Sequence, residues 1–223
     1  MCFSATASFS AGVVLAGLGT LTLKAAQHRR ELPFAAIPLL FAIQQLSEGV
    51  IWLTFRYESP LLNTAMTHLY SFFSHVLWPI YVPVAVLLIE PLRWRGTVLL
   101  GFVAAGLAAG LFLLQILLMF PVVSRPTGQH MEYVSPHFIA ATVMTLYLLA
   151  ATVSPMFSSY RLVKVFGALA LLSFAAAYGL YATWFISVWC FFAALLSAVI
   201  YLHFAMQGRR NLASIRAKTG FTS

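Results

Sequence analysis

Two short runs in this chain hold side chains that could do chemistry together. Gln44, Ser47 and Glu48 stand at i, i+3 and i+4, which places them on one face of a helix. His68, Ser71 and His75 repeat the spacing of three and four in the next apolar run. Imidazole and carboxylate groups suit a transition metal such as zinc, copper or iron, and three protein ligands with one open position make a catalytic site. In this reading Glu48 and His75 are the core metal ligands, with His68, His137 and Cys2 as further candidates. Removal of Met1 would give Cys2 a free amine beside its thiolate, a good chelate. Ser71 and Gln44 are the candidate catalytic groups, positioning a bound water or substrate. A metal-polarised water acting on a lipid or small molecule would be the reaction, as in a hydrolase. The same residues support two other readings. Glu48 and His75 could relay protons in a transporter or sensor. They could also form a hydrogen-bonded pair that specifies helix packing in a structural or accessory membrane subunit.

The element carrying Glu48 is apolar from Leu32 to Phe55 apart from this polar stretch. On insertion scales a carboxylate at the centre of a membrane helix costs about 2.5–3.5 kcal/mol, so its presence is a functional hypothesis that needs a partner. The whole chain is of the same kind: 61% of its 223 residues are hydrophobic and 8% are charged, against about 25% charged in soluble domains. The expected fold class is therefore all-α, a polytopic membrane protein of the cell membrane. Its length allows one membrane domain over residues 1–208 and a basic cytoplasmic tail over 209–223. Seven spans can be read: Phe9–Leu23, Leu32–Phe55, Ala65–Ile89, Gly96–Phe120, His137–Val153, Leu162–Tyr181 and Phe185–Phe204.

Orientation follows from the basic residues. Lys24, Arg29, Arg30, Arg93, Arg95, Arg161, Lys164, Arg209, Arg210, Arg216 and Lys218 fall on one side of that seven-span bundle, and Arg56 and Arg125 on the other. The N-terminus is expected outside and the C-terminus in the cytoplasm. The net charge of +8 thus reads as a topology signal beside the bilayer and excludes nucleic acid as the expected partner. The first 23 residues contain no Lys or Arg, so no cleavable signal peptide is expected.

Depth follows from a rise of about 1.5 Å per residue. Glu48 is expected roughly 7 Å, and His75 roughly 3 Å, to the outer side of their span centres. Consecutive helices are usually neighbours, so the two side chains are expected to meet. Pro79 and Pro83 should kink the third span, and Gly106-x-x-x-Gly110 permits close approach of a neighbouring backbone. The connection Pro121–Pro136 is the longest and is expected outside; its His130 and Glu132 could cap the outer mouth but are expected to be solvated. His203 is read as interfacial and Tyr147 as a packing residue. A Cys2–Cys190 disulfide remains open.

The segments Met1-Cys2-Phe3-Ser4-Ala5-Thr6-Ala7-Ser8, Arg30-Glu31-Leu32-Pro33, Gln44-Gln45-x-x-Glu48-Gly49 and Ser74-His75-Val76-Leu77-Trp78-Pro79 resemble a bacterial family of uncharacterised integral membrane proteins. The resemblance covers mainly the first 90 residues. It implies that Cys2, Glu48 and His75 belong to one motif set, and it brings no activity with it. Ser71-x-x-x-His75 is similar, more distantly, to seven-helix intramembrane hydrolases of the alkaline ceramidase and progestin and adiponectin receptor type. The departures are plain: His203 has no histidine four residues away, and the sequence has no aspartate. A retinal protein is disfavoured because the seventh span has no lysine for a Schiff base.

Overall fold

Small residues decide how the first helix packs. Ser8, Gly12, Leu15, Gly19 and Thr22 form a buried stripe along α1 (Ala5–Ala25), capped by the Ser4 hydroxyl, which accepts from the Ala7 N–H. A methyl group built on Gly12 would strike Leu46, and one on Gly19 would strike Leu39. Both contacts lie on α3 (Ile37–Arg56), so α1 and α3 approach closely. A short helix, α2 (Leu32–Ala35), leads into α3. The computed structural model describes residues 4–128, 130–134, 141–180 and 185–219, and within these the side chains of all but 185–186 and 209–219.

The next span carries the main irregularity. It begins as α4 (Pro60–Ser71), passes through a π-helical segment (Phe72–Leu77), and ends as α5 (Trp78–Ile89). Proline is the physical cause: Pro79 offers no N–H to the carbonyl of His75 four residues earlier, and its ring crowds that turn. A widened π turn relieves the crowding. The same device recurs later, where Leu149–Val153 is π-helical just before Pro155. Pro83 in turn withholds a donor from the Pro79 carbonyl. That carbonyl packs onto Gly106 of α6 (Arg93–Met119), where a Cβ would overlap the oxygen. Gly110, one turn on, meets Ile80 and the Val76 carbonyl. The small-x-x-x-small pair is thus the seat for a span bent by proline.

After α6 the chain forms a hairpin that the sequence reading did not contain. Strand β1 (Val123–Thr127) pairs antiparallel with β2 (His130–Val134). Gly128, at φ +62°, takes the left-handed turn position that glycine adopts without strain. The hairpin is anchored to the bundle, because Thr67 on α4 donates to the Ser124 hydroxyl and Ser124 donates to Asn63. The rest of the bundle comprises α7 (Ala141–Leu148), continued by the π segment and a 3-10 turn to Phe157, then α8 (Arg161–Leu180), α9 (Phe185–Leu196) and α10 (Ala198–Thr219).

Among the described residues, six helical stretches are long and apolar enough to cross a membrane, and Ala141–Phe157 is a shorter apolar one. The all-helical membrane architecture expected from composition therefore stands, with the hairpin as its one added sheet. The fifth expected span, His137–Val153, corresponds to that shorter stretch, and its first four residues lie outside the described ones. The last helix runs on through Gly208 to Thr219, so the segment named as a tail begins helical.

Candidate functional site

The polar face of α3 is wholly interior. Gln44, Gln45 and Glu48 are 0% exposed, and Ser47 is buried with its hydroxyl returned to the Ile43 carbonyl. Ser71, Ser74 and His75, on the facing span, are also buried. Gln44, Ser47 and Glu48 of the first stripe and Ser71 and His75 of the second therefore lie in the protein interior.

Two hydroxyl donors from distant parts of the chain orient Glu48. Tyr133 of the hairpin donates to its Oε1 at 3.2 Å, and Ser187 of α9 donates to the same oxygen at 2.8 Å. Tyr133 is held over the site by stacking on Tyr70 of α4, with ring centroids 4.3 Å apart and planes 7° apart. Alternation along β2 explains its direction: Met131 and Tyr133 point inward, while His130, Glu132 and Val134 are more exposed. The inward face of the hairpin thus covers Glu48, and His130 and Glu132 stay partly exposed on its other face.

His75 sits inside the π segment. Its Nδ1 lies 2.8 Å from the Ser74 hydroxyl, which in turn donates to the Ser71 carbonyl at 3.3 Å. A serine hydroxyl has one hydrogen. Which of the pair donates in the 2.8 Å contact depends on the imidazole tautomer. Tyr147 fastens the same turn by donating to the Ser74 carbonyl at 2.6 Å.

Glu48 on α3 and His75 in the π segment are both buried in this interior. Gln44 is tied to the same span one turn further on, accepting from Trp78 Nε1 at 2.8 Å. Cys190 of α9 is a buried free thiol facing Gln44 and Tyr70. A narrow cavity of about 30 Å³ lies between Trp78, Tyr147, Trp189 and Cys190, room for about one water.

Other candidates fall outside this interior. His68 is half-buried, with Nδ1 bonded to the Thr64 carbonyl of its own helix at 2.8 Å. Cys2 and His137 lie outside the described residues. No group of three or more His, Cys, Asp or Glu side chains placed to hold a metal occurs among the described residues. Several buried polar atoms here lack hydrogen-bond partners among the described residues: both amide atoms of Gln45, the Ser71 hydroxyl and Trp52 Nε1. Buried groups of this kind usually mark a bound water, ion or ligand.

The matched segments now have places: Gln44, Gln45 and Glu48 inside α3, and Ser74 to Pro79 in the π turn that faces them. The family model matches residues 1–218. The chain belongs to DUF6629, a family of unknown function. No curated protein and no solved structure matches it. The family thus covers nearly the whole bundle, hairpin included, and carries no described activity to transfer to Glu48 or His75.

Sequence reading missed Tyr133, Ser187 and Ser74. A signal for Tyr133 did exist, since Met131 and Tyr133 alternate with His130 and Glu132 in a strand pattern. Nothing in the local sequence marks Ser187, a lone serine in an apolar run.

Proposed function

We propose that this is a multi-pass protein of the cell membrane, with seven spans and its N-terminus outside, whose hairpin-covered interior binds a transition metal at Glu48 and His75. Zinc, copper and iron are the candidates, with Cys2 and His137 completing the ligand set. The observation that supports it best is the clamping of His75. The Ser74 hydroxyl is hydrogen-bonded to Nδ1 at 2.8 Å, and metal-bound histidines are characteristically oriented in this way by a neighbour on the other ring nitrogen. Tyr133 and Ser187 orient the Glu48 carboxylate in the same manner. Gln45 and the Ser71 hydroxyl offer buried partners for metal-bound water, with Gln44 holding Trp78 as the wall. A metal there would supply Lewis acidity and an activated water. The substrate in this reading is a lipid or a small molecule.

The test is elemental analysis of protein purified without chelators. About one metal per chain in the wild type, with loss in both Glu48→Ala and His75→Ala, is the expected result. Substoichiometric metal, or metal retained in both variants, overturns it.

A second reading rests on the hydroxyls themselves. Tyr133 and Ser187 can rotate to donate or accept, so the Glu48 surroundings suit either protonation state, as a proton relay in a transporter or sensor requires. It predicts proton uptake coupled to transport in sealed vesicles, abolished in Glu48→Gln, from protein that carries no metal. An accessory subunit predicts neither result and shows only weakened folding or assembly in Glu48→Gln.

A further inference from the structure

The opposite end of the bundle carries Lys24, Arg29, Arg30, Arg93, Arg95, Arg161 and Lys164, and it holds an open pocket of about 490 Å³ between α8 and α10. The pocket has a polar side and an apolar side. Tyr160, Arg161, His203 and Gln207 form the first, and Leu162, Val165 and Met206 the second. Val165 and Met206 are 36% and 46% exposed, so the apolar wall continues onto the outer surface of the bundle.

Three features of the polar side point to an anion that also carries a hydrogen-bond donor. First, α8 is 20 residues long, begins at Arg161 and has no acidic residue in its first turn. Its leading N–H groups and the positive end of its dipole face the mouth of the pocket. Arg161 is exposed there with no ion pair among the described residues. Second, His203 is 8% exposed. Its ring is held edge-on to Phe34 at 6.2 Å and to Tyr160 at 5.0 Å. Neither ring nitrogen has a hydrogen bond among the described residues and neither is fully enclosed, so the polar edge of the ring reaches the pocket. Third, Gln207 gives its amide hydrogen to Glu31 at 2.9 Å and leaves Oε1 buried with no partner. Glu31 itself is saturated by the Gln27 and His28 N–H groups, which bond its other oxygen. It therefore holds Gln207 in place and does not compete for an anion.

We propose that this pocket binds a phosphate group bearing a hydroxyl or ammonium substituent, the chemistry of an anionic phospholipid headgroup. The phosphate sits at the α8 N-terminus between Arg161 and His203, the substituent donates to Gln207 Oε1, and the glycerol end leaves along Leu162, Val165 and Met206. Free phosphate shares the first part of this chemistry and none of the rest.

The experiment uses the full chain purified in a neutral detergent and titrated with three probes: short-chain phosphatidylglycerol, short-chain phosphatidylcholine, which has no headgroup donor, and inorganic phosphate. Thermal melting of each variant verifies its fold, and His203→Phe preserves the ring packing. Phosphatidylglycerol is expected to bind, and Arg161→Gln to weaken it about tenfold, as loss of one charge-assisted contact implies. His203→Phe should weaken it several-fold. Gln207→Leu should weaken phosphatidylglycerol while leaving inorganic phosphate unchanged. Binding of inorganic phosphate with the same Arg161 and His203 dependence, and no gain from the lipid, supports the phosphate site with a soluble source. Equal affinity for phosphatidylglycerol and phosphatidylcholine, equal affinity in wild type and Arg161→Gln, or no binding of any probe overturns the proposal.

Discussion

Glu48 at the hairpin end and Glu90 at the basic end are both carboxylates held by hydrogen bonds across the chain, yet their donors differ in kind. Glu90 caps the α5–α6 junction. It accepts from the Leu92 N–H and from both the N–H and the hydroxyl of Ser159. Glu31 likewise accepts two backbone N–H groups, from Gln27 and His28. A backbone amide can only donate, so Glu31 and Glu90 serve as acceptors that staple connections together. Glu48 accepts from two hydroxyls, Tyr133 and Ser187, each able to reverse its role. The basic end therefore uses acids to fix the chain, and the hairpin end holds an acid through hydroxyls that can donate or accept.

The comparison can be broken at Glu48 first. Glu48→Ala strands two buried hydroxyls, each costing about 1–3 kcal/mol, and should give the largest loss of thermal stability of any acidic substitution, measured in detergent. Glu48→Gln should regain most of that stability without regaining metal. Glu90→Ala should cost about 1 kcal/mol, because its carboxylate is only half-buried and water can replace the lost partners. Metal content should not change. A larger loss at Glu90 than at Glu48 would reverse the assignment of staple and site. Tyr133→Phe keeps the stack on Tyr70 and removes one donor, for about 1 kcal/mol. Its signature is faster hydrogen exchange in 123–134 with the bundle unchanged.

The smallest effect is in pH. Burial holds the His130 imidazole below its ordinary value of 6.5, so the folded hairpin prefers the neutral ring. Its contribution is complete above the ordinary histidine range and declines as pH falls through that value. Exchange in 123–134 should rise modestly from pH 7 to pH 5, and His130→Gln should flatten the change.

Composition and periodicity made the membrane class legible, and most helix boundaries agree within a few residues. Proline chemistry made the irregular span legible in outline, since Pro79 and Pro83 predict a break near His75. The form of the break was not legible. A π turn depends on what the neighbouring helix accepts, and here Gly106 and Gly110 make room for it. The hairpin was hidden for a related reason: a strand pair of five residues each has too short a period to stand out between two long apolar runs.

The candidate site divides along the same line. Helical spacing alone put Gln44, Ser47 and Glu48 on one face and brought His75 into the argument, because local geometry fixes which residues share a face. The partners of Glu48 are 85 and 139 residues away in sequence. Long-range contacts of that kind leave no local period. The sequence by itself determined that a carboxylate and a histidine lie buried in a membrane bundle. Only the tertiary structure decided that hydroxyls from two distant parts of the chain hold the carboxylate. Those choices depend on which side chains the hairpin and α9 deliver, and packing decides that delivery.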